Sequence, residues 1–158
     1  MADPFTDVAV PDMPGWREWK PSDPSRFNAL MGPIVYRPDI DRPGGAIVRV
    51  RMTPSRAHSN VRDALHGGAT LAFIDIALFA AARASGVVTS GTAVTLTLDT
   101  QFIGEGAIDR PVEAQVEILR ETGRLLFLRG LVVQGDDDSR IAAFSATIRK
   151  PPAPKKDA

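Results

Sequence analysis

Residues 66–86 read HGGATLAFIDIALFAAARASG, and this stretch decides the fold. Within residues 69–84 only Thr70, Asp75 and Arg83 are polar. The length of the run and its richness in alanine and leucine predict a helix, which the glycine at the end of the stretch would terminate. A helix that is apolar on nearly every side has to be wrapped by other structure. We therefore expect one long central helix.

The segments on both sides of this helix predict strands. Short apolar runs at 34–36 and 46–52 precede it, and a meander of about four strands at 92–149 follows it, with a hairpin turn at 121–124. In most of these segments apolar and polar residues alternate. The predicted fold class is α+β, a curved antiparallel sheet of about five to six strands wrapped around the central helix. One helix cannot cover both faces of such a sheet, so we expect a second subunit at its other face or at an edge.

The ends of the chain differ from its middle. Residues 1–25 are rich in proline and aspartate and predict a Pro-rich N-terminal arm, with Trp16 and Trp19 as anchors on the body or on a neighbouring subunit. Residues 26–150 predict a single domain, which suits a chain of 158 residues. The remaining residues, 151–158, predict a flexible tail.

Composition excludes several classes of protein. Nineteen basic side chains balance nineteen acidic ones, so the basic excess of a nucleic-acid-binding protein is missing. Without cysteine the chain can form no disulfide, no thiolate metal site and no cysteine nucleophile. The N-terminal residues lack the basic and apolar regions of a secretion signal, so we expect none. The apolar stretch 71–82 is shorter than the roughly 20 residues that span a bilayer. We expect a cytoplasmic protein without nucleic-acid or membrane partners.

Asp75 is the first candidate for chemistry. It lies among Phe73, Ile74, Ile76 and Leu78, where a carboxylate is costly to bury unless a neighbour compensates its charge. A catalytic carboxylate would explain this position. A carboxylate on one solvated stripe of the helix, or at a subunit contact, would explain it equally well.

The second candidate is the sequence His66-Gly67-Gly68 at the predicted start of the helix. Glycines at a helix N-terminus let a ligand approach bare backbone N–H groups, toward which the positive end of the helix dipole points. A carbonyl oxygen that gains negative charge in a reaction would be stabilised there. Taken alone, a capping histidine and a tight glycine turn would account for the same residues.

The spacing of the two candidates predicts an oligomer. Asp75 lies eight residues beyond Gly67, which is about 12 Å along a helix axis. A small acyl group polarised at Gly67 could not also touch Asp75 of the same chain. If both residues serve one reaction, they come from different subunits of a symmetric assembly.

The pattern as a whole resembles a known family. Asn60, the HGG sequence at 66–68, Asp75 and a hydroxyl at Thr95 on the next strand resemble the hotdog-fold acyl-CoA thioesterases of the phenylacetate-degradation (PaaI-like) group. The resemblance extends from about Asn60 to Thr147, and the order of elements agrees with the hotdog fold. The combined pattern is specific to that family, although its parts are not.

The resemblance implies a role for each of these residues. Asp75 would act as general base on a water molecule or as nucleophile on the thioester carbon, and Thr95 would help to hold the water. The Gly67 backbone N–H would polarise the carbonyl oxygen, while His66 and Asn60 would orient the thioester. The resemblance implies an acyl-CoA substrate, no metal or other cofactor, and a homodimer commonly paired into a homotetramer.

One residue departs from the family pattern. Asp63 stands where relatives usually have glycine; aspartate tolerates a left-handed backbone, but it places a second carboxylate among the expected substrate-binding residues, beside Gly68. This departure keeps a non-catalytic acyl-CoA-binding protein as one alternative. A hotdog enoyl-thioester hydratase is another, which the spacing of His66 and Asp75 fits less well. His58, on a polar loop, is expected to be solvated.

Overall fold

The computed structural model describes residues 5–39, 47–88 and 93–151. A single-turn 3-10 helix at Arg56–His58 precedes the long helix. Apart from Pro151, the tail predicted at 151–158 lies outside the described residues. The other elements, in chain order, are β1 (Phe5–Ala9), β2 (Arg17–Pro21), α1 (Phe27–Leu30), β3 (Ile34–Asp39), β4 (Ile47–Met52), α2 (Gly67–Ala84), β5 (Val94–Phe102), β6 (Val112–Glu121), β7 (Leu125–Gln134) and β8 (Ser139–Arg149).

The eight strands in the described part of the chain form one antiparallel sheet in the order β1-β2-β3-β4-β6-β7-β8-β5. Strands β1 and β5 are its terminal strands. The predicted α+β class, a curved antiparallel sheet with one long helix, is confirmed. The sheet has more strands than the five to six predicted, because the N-terminal segment supplies two of them.

Helix α2 forms the centre of the core. It packs against β3, β4, β5 and β6, and it begins two residues before the predicted start, at Gly67. Ile74, Ala77 and Leu78 are fully buried, which for the larger two contributes about 1.5–3 kcal/mol each. Leu71 and Phe79, by contrast, are only partly buried, as is Asp75 between them. These three residues follow each other at intervals of four, so they form one uncovered stripe on the helix.

By length and composition, α2 is also the one helix in the described part of the chain that could cross a membrane. Half of it is buried inside the molecule, and four strands of the sheet pack on it. The core helix of a globular domain passes the same test, and the packing of the sheet on α2 identifies it as such a helix.

The N-terminal segment is more regular than the predicted arm. Strands β1 and β2 form a hairpin whose second strand pairs with β3. Trp16 and Trp19 are both buried in the chain's own body, so the expected anchoring role holds, without a neighbouring subunit. The prolines of this segment argued against strands in the sequence. Two of these prolines lie in the turn between β1 and β2 and a third is the last residue of β2, so none of them interrupts the hydrogen bonds between the strands.

A buried glutamine fixes the loop between β5 and β6. The side chain of Gln134 accepts a hydrogen bond from the Ala107 N–H at 2.8 Å and donates to the carbonyls of Ala107 and Arg110, both at 3.0 Å. The loop in turn pairs with the segment before α2, because Ala64 and Ala107 form a β-bridge and the Leu65 N–H donates to the Gly106 carbonyl. The start of α2 is thereby held against the sheet.

Candidate active site on the central helix

The N-terminus of α2 presents a free backbone amide. His66 is the N-cap residue, and its Nδ1 accepts a hydrogen bond from the Gly68 N–H at 2.8 Å. The Gly67 N–H has no partner among the residues that the structure describes. Because N–H groups of a first helical turn point along the axis with the positive end of the dipole, Gly67 can bind an oxygen that carries partial negative charge. The Gly68 amide, expected to face the substrate, is already used by His66.

The hydrogen bond from the Gly68 N–H also decides which nitrogen of the neutral His66 ring carries the hydrogen. Since Nδ1 accepts, the neutral ring carries its hydrogen on Nε2. His66 is exposed, so this Nε2–H can donate to a ligand next to the Gly67 amide.

An aromatic ring borders the same amide. A Cβ atom added at Gly67 would lie 3.5 Å from Cζ of Phe102, on β5. Phe102 remains 52% exposed, so a ligand at Gly67 would lie beside an accessible apolar surface. Phe102 was not among the residues predicted for the site, because no local pattern in the sequence connects it to a helix that begins 35 residues earlier.

The loop before α2 is held by Asn60. Its Oδ1 accepts hydrogen bonds from the N–H groups of Arg62 at 2.8 Å and Ala64 at 3.2 Å. This oxygen therefore supports the loop, and only the Nδ2 group of Asn60 is left to orient a substrate. Asp63 takes the left-handed conformation, φ 58°, and its carboxylate pairs with Arg56 at 3.1 Å. Both side chains of that pair are exposed, so the Asp63 carboxylate lies toward solvent.

Asp75 meets the predicted hydroxyl. Thr95 Oγ1, on β5, donates a hydrogen bond to Asp75 Oδ1 at 2.7 Å. Asp75 itself is half-buried on the uncovered stripe of α2. The hydroxyl holds one carboxylate oxygen, which fixes the orientation of the other.

The structure thus brings the candidate residues together in two groups. One group is the loop and helix start, with Asn60, His66 and Gly67, and the other is Asp75 with Thr95. Gly67 and Asp75 lie in the same continuous helix, so their separation along the axis is the expected value of about 12 Å. Among the described residues, no three His, Cys, Asp or Glu side chains form a cluster that could hold a metal ion.

Comparison with known proteins relates the chain to one superfamily and to several solved structures. The family model described as "Thioesterase superfamily" matches residues 63–141, half of the 158 residues. The yhdA protein from Lactococcus lactis has a TM-score of 0.70 at 17% identity, covering 82% of this chain and 99% of its own. A mutant of the phenylacetic acid degradation protein PaaI from Thermus thermophilus has a TM-score of 0.61 at 22% identity, covering 82% and 100%. The TT0310 protein from the same organism has a TM-score of 0.59 at 26% identity, covering 82% and 98%.

Comparison with curated protein sequences gives no match. The solved structures confirm the hotdog fold that the sequence resemblance implied. Each of them aligns over nearly its whole length, whereas part of this chain lies outside the alignment.

Proposed function

The chain belongs to the thioesterase superfamily, and we propose that it hydrolyses an acyl- or aryl-CoA thioester to a free carboxylic acid and coenzyme A, as a member of the PaaI-like group. One observation carries the proposal. The helix that presents the free Gly67 amide also carries Asp75, held by Thr95 on its uncovered side. Thioester hydrolysis needs two such components: an N–H group that binds the carbonyl oxygen and a carboxylate that acts on the carbonyl carbon or on water.

Two subunits are needed to complete this site. Asp75 and Gly67 each lie four residues from Leu71, on opposite sides of it. Two α2 helices packed antiparallel about a two-fold axis beside Leu71 would therefore bring Asp75 level with Gly67 of the partner subunit. Such a dimer contains two identical sites, each built from both chains.

The surfaces required by this dimer are apolar and uncovered in the single chain. Leu71 is 38% exposed, although it lies in the core helix. Val94 and Leu96 are 44% and 49% exposed on β5, which is a terminal strand with one edge that pairs with no other described strand. Pairing of two β5 strands would cover this edge and place the two helices side by side. We expect a homodimer, or a dimer of such dimers, with shared active sites.

The substrate carbonyl is the first group to be fixed. Its oxygen would accept a hydrogen bond from the Gly67 N–H, and the amide would stabilise the negative charge that forms on this oxygen in the tetrahedral transition state. The His66 Nε2–H and the Asn60 Nδ2 group would donate to the thioester and orient it.

Asp75 of the other subunit would then act on the thioester carbon by one of two routes. As general base, it takes a proton from a water molecule whose oxygen attacks that carbon. As nucleophile, it attacks the carbon itself and forms an anhydride that water hydrolyses. In both routes the carbon–sulfur bond breaks, and the sulfur leaves as the coenzyme A thiolate and is protonated. The acid gains its second oxygen from water in the general-base route, and in the nucleophilic route either from water or, when water attacks the Asp75 carbon of the anhydride, from Asp75. A single turnover in isotopically labelled water distinguishes the two routes, because only the nucleophilic route can put the label into the Asp75 carboxylate.

The experiment that tests the function is release of free thiol from short, long and aromatic acyl-CoAs. We expect turnover by the unchanged protein and its loss in Asp75→Asn, with the oligomer intact. The matched control is Asp136→Asn, which changes an exposed carboxylate in the turn between β7 and β8 and should leave turnover unchanged. Undiminished thiol release by Asp75→Asn would exclude the assigned role of Asp75.

Two other outcomes would identify the alternative functions. Calorimetric binding of acyl-CoAs without thiol release by the unchanged protein would identify a non-catalytic acyl-CoA-binding protein. Hydration of a crotonyl-type thioester would identify a hydratase.

A further inference from the structure

We propose that His58 is a positioning residue of the candidate site, which connects the N-terminal helix α1 to the loop and helix start that carry Asn60, His66 and Gly67. This inference rests on the proposed function, because it assigns His58 a part in presenting the Gly67 amide to a thioester.

Both nitrogens of the His58 ring are bonded. Nδ1 lies 2.9 Å from the Ser55 N, which donates to it, and 3.2 Å from Ser55 Oγ. Nε2 lies 2.7 Å from the carbonyl oxygen of Leu30 and donates to it. These partners suit a neutral ring with its proton on Nε2, since a protonated Nδ1 would face the Ser55 N–H donor. The expectation that His58 is solvated is wrong: the residue is half-buried, and its ring is held on both sides.

The backbone of His58 reaches the candidate site directly. Its carbonyl oxygen accepts a hydrogen bond from the His66 N–H at 2.8 Å. His66 is the N-cap of α2, so the bond fixes the residue immediately before Gly67. Next to it, Ser59 and Leu65 form a β-bridge that closes the loop. A shift of His58 would therefore move His66 and the free amide after it.

On its other side, His58 holds an element with little packing of its own. Helix α1 has four residues, Phe27–Leu30, and none of them is buried. The carbonyl of Leu30 belongs to the last turn, where helix carbonyls lack intrahelical partners. The imidazole satisfies this carbonyl and thereby ties α1, which follows the β1–β2 hairpin in the chain, to the loop before α2. Helix α1 thus contributes to the geometry of the site without containing any of its predicted residues.

Two substitutions of His58 by residues with a side-chain amide each keep one of the two hydrogen bonds of the ring and remove the other. In His58→Gln the side-chain NH₂ can reach the position of Nε2 and donate to Leu30, but no acceptor replaces Nδ1. In His58→Asn the shorter side chain can place its oxygen near Nδ1 to accept from Ser55, but it cannot reach Leu30. His58→Ala removes both bonds. Ser59→Ala, which loses a hydrogen bond from the Ser59 hydroxyl to the Arg56 carbonyl in the same turn, is the matched control.

The first readout is turnover of the best acyl-CoA substrate. We expect His58→Ala and His58→Asn to lower kcat about tenfold, with a smaller change in KM, because a misplaced amide stabilises the transition state less. His58→Gln should remain within about threefold of the unchanged protein, as should Ser59→Ala. Unchanged kcat in His58→Ala, or equal recovery by the Asn and Gln variants, would overturn the proposal.

The second readout does not depend on activity. Hydrogen exchange of the backbone amides of residues 60–68 should accelerate in His58→Asn and stay close to the original rate in His58→Gln. If the protein proves inactive on thioesters while this difference is found, the proposed function fails and the positioning role stands. If exchange is the same in both variants, the positioning role fails whatever the activity.

Discussion

At the scale of single residues, the contact between Asp75 and Thr95 is the most informative. The carboxylate lies on a helix and the hydroxyl on a strand twenty positions later, and the bond of 2.7 Å between them fixes one carboxylate oxygen. Thr95→Val keeps the shape of the side chain and removes this bond. Hydrogen bonds to charged groups contribute about 1.5–3 kcal/mol. We therefore expect kcat to fall about tenfold to a hundredfold, measured by thiol release.

The same strand offers a control for this change. Thr100 Oγ1 is buried and has no hydrogen-bond partner among the described residues. Because a buried hydroxyl without a partner is unfavourable, Thr100→Val should raise the free energy of unfolding by up to about 1 kcal/mol and leave kcat unchanged. Equal losses of activity in the two valine variants would mean that the strand tolerates no substitution, and would remove Thr95 from the mechanism.

Asp63 tests how the departure from the family pattern is accommodated. At φ 58° an alanine carries a steric cost that glycine does not, of roughly 1 kcal/mol. The exposed ion pair with Arg56 adds little, because solvent screens it. In denaturant unfolding, Asp63→Gly should therefore be about 1 kcal/mol more stable than Asp63→Ala. The reverse order would show that the loop does not hold the left-handed conformation.

At the scale of elements, a tyrosine links the N-terminal hairpin to the rest of the sheet. Tyr36 on β3 donates a hydrogen bond to Asp7 on β1 at 2.6 Å, and Arg17 on β2 holds the other oxygen of the same carboxylate. Burial, followed by the bond to Asp7, raises the pKa of Tyr36 to about 12 from its ordinary value of 10.0. The neutral phenol is therefore the form that stabilises the fold.

The raised pKa of Tyr36 determines how the stability of the fold depends on pH. The contribution of Tyr36 to stability is fully present below pH 10 and is lost as the pH rises toward 12. The free energy of unfolding should fall more steeply across this range in the unchanged protein than in Tyr36→Phe. Tyr36 is the only tyrosine in the chain, so the ultraviolet absorbance of tyrosinate reports its titration directly. Ionisation of the folded protein near pH 10 would contradict the assignment.

At the scale of the whole molecule, the two-fold axis beside Leu71 makes a sharp prediction. Leu71→Glu would place two like charges opposite each other across the axis, in a contact that should be apolar. We expect dissociation to monomers in analytical ultracentrifugation, together with loss of thioesterase activity. Leu119→Glu, which changes a half-exposed leucine on β6, should leave both unchanged. A Leu71→Glu monomer with full activity would exclude an intersubunit site.

Features that depend on neighbouring residues could be predicted from the sequence, and contacts between residues distant in the chain could not. The apolar run of α2 predicted the helix, and the alternation of apolar and polar residues in segments such as β6 predicted the strands. Each of these patterns extends over only ten to twenty consecutive residues. The β1–β2 hairpin was missed because its prolines, which lie at the strand ends and in the turn, hide two short strands. His58 was assigned to solvent because its ring partners include the carbonyl of Leu30, 28 positions earlier, and no local pattern indicates such a contact.

The sequence by itself therefore determined the class of fold, the central helix and the spacing that separates Asp75 from Gly67. These are local properties, set by side-chain periodicity and by helix geometry. Only the tertiary structure decided that Thr95 reaches Asp75, that Phe102 borders Gly67, that β1 and β2 extend the sheet, and that His58 ties α1 to the site loop. Those contacts join residues far apart in the chain, so they depend on how the packed elements meet.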